Sequence, residues 1–263
     1  MLRISQLYSG SKGNATLIEG AGVRVLVDAG GSAKRLELAL QAAGCPAQEL
    51  SGVLVTHEHS DHISALNIFA ARYALPIYAN EATHRAMAAT LKNILPEQRI
   101  FVRPNSDFYI GALNIEAYCT SHDAACPQAY GFFAQGIQGA LITDTGYIPR
   151  ELCERITGAR VVLLESNHDE RMLLGGSYPA YLKKRIYGRK GHLSNDTCAE
   201  TLSTLIEHGA RHLMLMHLSD ENNTPQCAQD TVITRLAKSG ATAGKDYDLY
   251  ISSQAQALPM EVG

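Results

Sequence analysis

A chain of 263 residues that is 46% hydrophobic and 19% charged, with a formal net charge of −3, has the make-up of a globular protein able to bury a sizeable core. It has no overall positive field to recruit nucleic acid, so any such contact has to be local. No run approaches the ~20 apolar residues that span a bilayer, and Met1-Leu2-Arg3-Ile4-Ser5-Gln6-Leu7-Tyr8 lacks a signal-peptide core. The expectation is a cytoplasmic protein with no membrane partner, built as one domain over residues 1–263. The six cysteines form no Cys-x-x-Cys pair and read as buried thiols rather than a disulfide framework or thiolate zinc site.

In chain order, strand patterns cover residues 3–8, 15–19 and 23–28. Between the first two lies Ser9-Gly10-Ser11-Lys12-Gly13-Asn14. This small-residue turn reads either as a plain hairpin turn or as backbone N–H groups offered to an oxyanion or phosphate, with Ser11 and Asn14 as candidate substrate contacts. An apolar strand at 51–56 then runs into His57-Glu58-His59-Ser60-Asp61-His62, followed by a helical stripe of Ile63, Leu66, Ile68, Phe69 and Tyr73. Further strands are expected at 111–118, 129–134, 140–143, 160–165 and 212–217, with a hairpin turn at Gly136-Ile137-Gln138-Gly139 and a helix over 196–208. Strands and helices in two similar halves predict an α/β protein, two sheets face to face with helices outside, a four-layer αβ/βα sandwich. Composition alone does not separate that from a doubly wound sheet.

Three imidazoles and a carboxylate within six residues, where a buried strand gives way to a helix, are placed as rigid scaffolds place reactive groups. His57 and His59, two apart in an extended segment, can converge on one ion; Asp61 and His62, at the following turn, can point toward a second. Imidazole nitrogen and carboxylate oxygen suit zinc, manganese or iron more than calcium. A merely solvated loop gains nothing from clustered, unpaired imidazoles.

Thr-His-x-His-x-Asp-His, written here as Thr56 to His62, resembles the signature of metallo-β-lactamase-fold hydrolases. Val25-Leu26-Val27-Asp28-Ala29-Gly30, Ser121-His122, Thr143-Asp144-Thr145-Gly146 and Leu215-Met216-His217-Leu218-Ser219 resemble the family's other motifs. The resemblance implies one metal ion held by His57, His59 and His122 and another by Asp61, His62 and His217. Asp144 bridges them, and Asp28 orients the metal-binding loop. Two divalent ions so placed lower the pKa of a shared water and neutralise charge on substrate oxygens. Many relatives have Gly where this chain has Ala65, a position of helix packing that leaves the ligand set intact.

Two further clusters, Leu163-Leu164-Glu165-Ser166-Asn167-His168-Asp169 and Gly191-His192-Leu193-Ser194-Asn195, resemble those of phosphodiesterase branches such as the tRNA 3′-processing endonuclease. That implies Glu165 orienting His192, with His192 as general acid for the leaving alkoxide and Asn195 as a substrate contact. Alternatively Ser194 or Asn195 caps the next helix and His192 is incidental. His168 reads as a phosphate or accessory-metal contact, or as a hydrogen-bonding support. The full set, Ser9 to Asn14, Glu165 to Asp169, Gly191 to Asn195 and His217 to Asn223, most resembles the bacterial YycJ-like (WalJ) branch, described as 5′-end DNA exonucleases. Lys183-Lys184-Arg185 and Arg189-Lys190 form the most basic segment, either a solvated helix face or a track for a nucleic-acid backbone. The competing readings are a hydrolase of a small phosphodiester, thioester or lactone, which the modest net charge favours, and a non-catalytic metal-binding module.

Overall fold

The computed structural model describes residues 1–253 and 258–262. The chain divides into two compact units, the first of Met1–Cys119, Ala124–Ile137 and Ser253–Gly263, the second of Thr120–Asp123 and Gln138–Ser252. Among the described residues, the strands belong to two mixed sheets of seven.

In the first unit, β1 (Leu2–Tyr8), β2 (Ala15–Gly20) and β3 (Val23–Val27) run antiparallel. Beyond β3, β4 (Gly52–Leu54), β5 (Ile77–Ala79) and β6 (Arg99–Phe101) continue the sheet in parallel. The strand β14 (Leu258–Val262) pairs with the free side of β1. Three more strands, β7 (Asp107–Ile110), β8 (Leu113–Cys119) and β9 (Gln128–Ala134), form an antiparallel meander.

Parallel neighbours need crossovers, supplied here by α1 (Ala33–Ala42), the pair α2 (Ser60–Ile63) and α3 (Leu66–Arg72), and α4 (Glu81–Met87). Ser32 caps α1 and Asn80 caps α4, each side chain accepting a backbone N–H of the first turn. Leu17, Leu26, Leu36, Leu40, Val53, Phe69 and Ile77 share one buried core, each large side chain contributing about 1.5–3 kcal/mol by leaving water.

The second unit holds four parallel strands, β10 (Ile137–Ile142), β11 (Val161–Glu165), β12 (His212–Met216) and β13 (Asp248–Ile251). Val161, Val162, Leu163 and Leu164 are all buried, the unbroken apolar run of a parallel strand covered on both faces. Its helices are α5 (Arg150–Ile156), α6 (Glu170–Gly175), α7 (Ala180–Tyr187), α8 (Asn195–Glu207) and α9 (Pro225–Lys238).

Two expectations need correction. The helical stripe after His62 is broken between α2 and α3, and Ile68 is 52% exposed. Ile63, Leu66, Phe69 and Ala70 carry the burial, because those spacings follow a helical face and Ile68 falls off it. The turn expected over 136–139 is only two residues, since β10 begins at Ile137; Gln135 and Gly136 take the left-handed φ of 51° and 78° that a tight turn of this kind requires. The six cysteines are free thiols. No helix among the described residues is long and apolar enough to cross a membrane.

Candidate metal centre

In the first unit, β4 delivers Val55 and Thr56 to the motif, and His59 stands at the N-terminus of α2. Asp28, just past β3, takes a left-handed φ of 61° and is buried. Its Oδ1 accepts the Thr56 N–H at 2.8 Å, and its Oδ2 accepts the Thr56 hydroxyl at 2.8 Å and faces His62 Nδ1 at 2.7 Å. A carboxylate only accepts, so His62 Nδ1 carries the proton and its lone pair sits on Nε2. The Thr56 hydroxyl spends its one proton on Asp28, so it accepts from His57 Nδ1, 3.0 Å away, and the His57 lone pair likewise sits on Nε2. The ring centroids of His57 lie 4.5 Å from His59 and 4.2 Å from His62, and Asp61 Oδ2 is 3.3 Å from His62 Nε2. The four donors of the motif are thereby gathered.

Asn14 closes this cluster from the turn after β1. Its Nδ2 lies 3.2 Å from Asp61 Oδ2 and 3.1 Å from His62 Nε2, while its Oδ1 accepts from the Ser9 hydroxyl and the Gly10 N–H. The Asn14 N–H donates to the Asp61 carbonyl at 2.8 Å. This approach needs glycine at position 30, where a Cβ would stand 1.8 Å from the Asp61 carbonyl oxygen. Asn14, expected as a substrate contact, is buried and lies directly against the donors Asp61 and His62. Of the turn's N–H groups, those of Gly10, Gly13 and Asn14 are spent internally. Ser11 is exposed at its tip.

In the second unit, His122 Nδ1 donates to the Gly191 carbonyl at 2.9 Å, leaving its lone pair on Nε2, which faces Asp123 Oδ1 at 3.2 Å and Asp144 Oδ1 at 3.8 Å. Burial, partly offset by Asp144, lowers the His122 pKa, favouring the neutral, ligating ring. Asp144 follows β10 with a φ of 49°, and its Oδ1 is 3.6 Å from the Nδ1 of both His192 and His217. Glu165, at the end of β11, is fully buried and saturated. Its Oε1 accepts from His192 Nδ1 at 2.6 Å and His217 Nδ1 at 3.0 Å, its Oε2 from the Thr145 and Leu193 N–H groups at 2.9 and 3.2 Å. Burial pushes its pKa up, but the charge on His192 and hydrogen bonds from His192 and His217 outweigh that and hold it below the usual carboxylate range. With every acceptor site used, Glu165 backs two rings instead of presenting an oxygen to an ion.

Around this cluster, Asn167 donates to the His217 carbonyl at 2.9 Å, and Asn223 donates to the carbonyls of Ser166 and Asn167. Asn195 has no exposed surface; its amide is bound to Ser166, Asn223 and Cys227. It belongs to the scaffold, and the expected substrate contact does not fit a side chain facing inward. Ser194 caps α8, as one of the alternatives had it. His168 is 1% exposed, and neither ring nitrogen has a hydrogen-bond partner among the described residues. Burial lowers its pKa to about 4, against the pull of Glu165. Asn167 and Asn223 fall inside segments that carry the resemblance, but nothing in the sequence gives either an individual role.

The donor chemistry of both units fits a divalent metal. His57, His62, His122 and His217 each have Nδ1 tied to an oxygen that fixes the tautomer and aims the remaining lone pair, the arrangement that prepares imidazoles for ligation. In the second unit, Asp144, Glu165, His192 and His217 bring atoms within 4.8 Å of one another, Glu165 as the group that orients both rings. Without a cation, the His122 lone pair would face two carboxylates unfavourably.

Residues 23–218 match the family described as Beta-lactamase superfamily domain. The chain is 38% identical over 249 residues to exodeoxyribonuclease YycJ of Bacillus anthracis, an alignment covering 95% of this chain and 94% of that protein. It is 35% identical over 260 residues to exodeoxyribonuclease WalJ of Streptococcus pneumoniae, covering 98% and 97%. Among solved structures, the metallo-beta-lactamase fold protein YhfI from Bacillus subtilis superposes with a TM-score of 0.74 at 17% identity, covering 98% of this chain and 99% of that one. The motif order, the mixed sheets and these full-length similarities agree: the chain belongs to the metallo-β-lactamase superfamily of metal-dependent hydrolases, alongside the YycJ and WalJ proteins.

Proposed function

We propose that this hydrolase is a phosphodiesterase that digests DNA from its 5′ end. It would use two divalent ions, zinc or manganese, with iron compatible with the same donors. As the family pattern implies, His57, His59 and His122 hold one ion, Asp61, His62 and His217 the other, with Asp144 bridging. The observation that carries the reading is the Glu165–His192 hydrogen bond of 2.6 Å, with Asp144 Oδ1 3.6 Å from the same His192 nitrogen. An alkoxide leaves poorly without a proton, whereas a thiolate does not need one, so a carboxylate-backed histidine beside a ligand carboxylate fits phosphodiester better than thioester cleavage.

Bound divalent ions supply Lewis-acid activation of water and neutralise charge on phosphate oxygens. The chain's own residues do the rest. Glu165 fixes His192 with Nδ1 as donor and leaves Nε2 as the end that hands a proton to the leaving oxygen. Asn14 and Asp28 hold Asp61 and His62 in place. His168, buried with both nitrogens lacking partners among the described residues, serves a phosphate oxygen or an accessory ion.

Two exodeoxyribonuclease relatives at 35–38% identity support DNA as the substrate. The net charge of −3 favours a small substrate instead, and a panel of chromogenic phosphodiesters and thioesters separates the two. On 5′- and 3′-labelled DNA with manganese, the wild type releases the 5′ label first. Asp61→Ala lowers the rate about a thousandfold, the several kcal/mol that a metal ion contributes to such a transition state. Pure, metal-loaded protein that leaves all DNA intact, or prefers thioesters, overturns the reading.

A further inference from the structure

Residues 171–195 contain Arg171, Lys183, Lys184, Arg185, Arg189 and Lys190 and no Asp or Glu, in a chain whose net charge is −3. The basic stretch lies within the second unit, running from α6 through α7 to His192. Helix α7 buries none of its residues, although short helices are marginal without a buried face. Its C-terminal end is instead tied to the site. The His192 N–H donates to the Ile186 carbonyl at 2.9 Å, and the Ser121 hydroxyl donates to the Arg189 carbonyl at 2.8 Å. A Cβ at Gly146, two residues past Asp144, would stand 2.3 Å from Arg189 backbone atoms.

The exposed face combines two chemistries. Tyr181 and Tyr187 are 75% and 52% exposed, and the Arg189 guanidinium lies 4.2 Å over the Tyr147 ring. Lys183 is committed to the Leu174 carbonyl and Arg185 to Asp123. Lys184 and Lys190 are exposed and make no ion pair among the described residues. Cations interleaved with exposed rings suit a strand whose phosphates and base faces are both accessible; a duplex hides its base faces. We propose that the α6–α7 lobe is the surface that holds single-stranded DNA leading to the catalytic histidine, an inference that rests on the nuclease reading. Phosphates lie against Lys184, Lys190 and Arg189, and bases stack on Tyr181 and Tyr187.

The test uses manganese-loaded full-length protein and a short fluorescein-labelled phosphorothioate oligo(dT), which resists hydrolysis, with anisotropy followed across a salt series. Lys184→Glu/Lys190→Glu weakens binding about tenfold or more and flattens the log–log salt slope by about 1.4, two phosphate contacts for a single strand. Tyr181→Ala weakens it about fivefold or more through lost stacking. Lys34→Glu/Lys92→Glu, an equal charge change in the first unit, alters it by less than about twofold. Binding that ignores both lobe changes, falls equally in the Lys34/Lys92 control, prefers duplex, or is absent from the wild type overturns the proposal. Hydrolysis of bis(p-nitrophenyl) phosphate by the wild type reports the phosphodiesterase reading separately. If that activity is missing while lobe-dependent binding persists, the reaction assignment fails and the strand-holding lobe stands.

Discussion

The two units assemble similar clusters by different routes. In the first, His57, His59, Asp61 and His62 fall within six residues of one strand-to-helix turn, and one carboxylate, Asp28, backs one ring of the motif. In the second, His122, Asp144, Glu165, His192 and His217 come from five separate segments, and one carboxylate backs two rings. There the sheet register does the gathering. Leu164 pairs with Ile142 and Glu165 with Met216, so Asp144, Glu165 and His217 all emerge at the same ends of parallel strands. Local chain geometry suffices for one cluster, while the other exists only once three strands have found their register.

Both clusters accept strained backbone at strand ends. Asp28, Asp144 and His217 have φ of 61°, 49° and 56°, a conformation costing on the order of 1 kcal/mol or more each and tolerated where a side chain must be aimed. Aspartate and histidine are among the non-glycine residues that tolerate it best.

That contrast can be broken by mutating the two backing carboxylates. Glu165→Gln has the larger expected effect. It loosens His217, lowering metal affinity about 10–100-fold, and it depolarises His192, lowering kcat about 10²–10⁴-fold even at saturating manganese. Asp28→Asn loosens His62, and His57 through Thr56, but leaves His192 untouched, so affinity falls about 10–100-fold while saturating manganese restores kcat. Manganese titrations of DNA hydrolysis distinguish the two, and identical responses would erase the proposed division of labour.

A smaller effect isolates what burial alone does to a histidine of the first unit. His84 lies in α4 outside the donor cluster, with Nε2 3.0 Å from the Ile100 carbonyl oxygen, and burial lowers its pKa. Its folded pKa is below its unfolded one, so its contribution to stability is complete above about pH 6.5 and is lost as pH falls toward the folded value. Thermal melting of chelator-treated protein should therefore decline less steeply below that pH in His84→Gln. An unchanged slope removes His84 from the acid sensitivity.

Much of this was legible in the residues themselves. The Thr56 to His62 motif announced itself, and Asp28, Asp144 and His217 each close an apolar run that reads as a buried strand. Periodicity reports which face of an element is apolar, but not which way a polar residue turns just beyond its end. Asn14 and Asn195 both read as substrate contacts, one in a turn and one at a helix start; Asn14 faces Asp61 and His62, and Asn195 turns wholly inward. The three-residue strands β5 and β6 are too short to carry a pattern. The hydrogen bonds of Glu165 to both His192 and His217 emerge only from tertiary packing.

Elemental analysis of purified protein tests the proposed two-ion ligand set most directly. The wild type, dialysed after exposure to zinc or manganese, should retain about two ions per chain, and Asp61→Ala and Asp144→Ala, one change in each unit, should each retain fewer. Wild-type protein that retains no transition metal, or either variant keeping the full complement, would contradict the account.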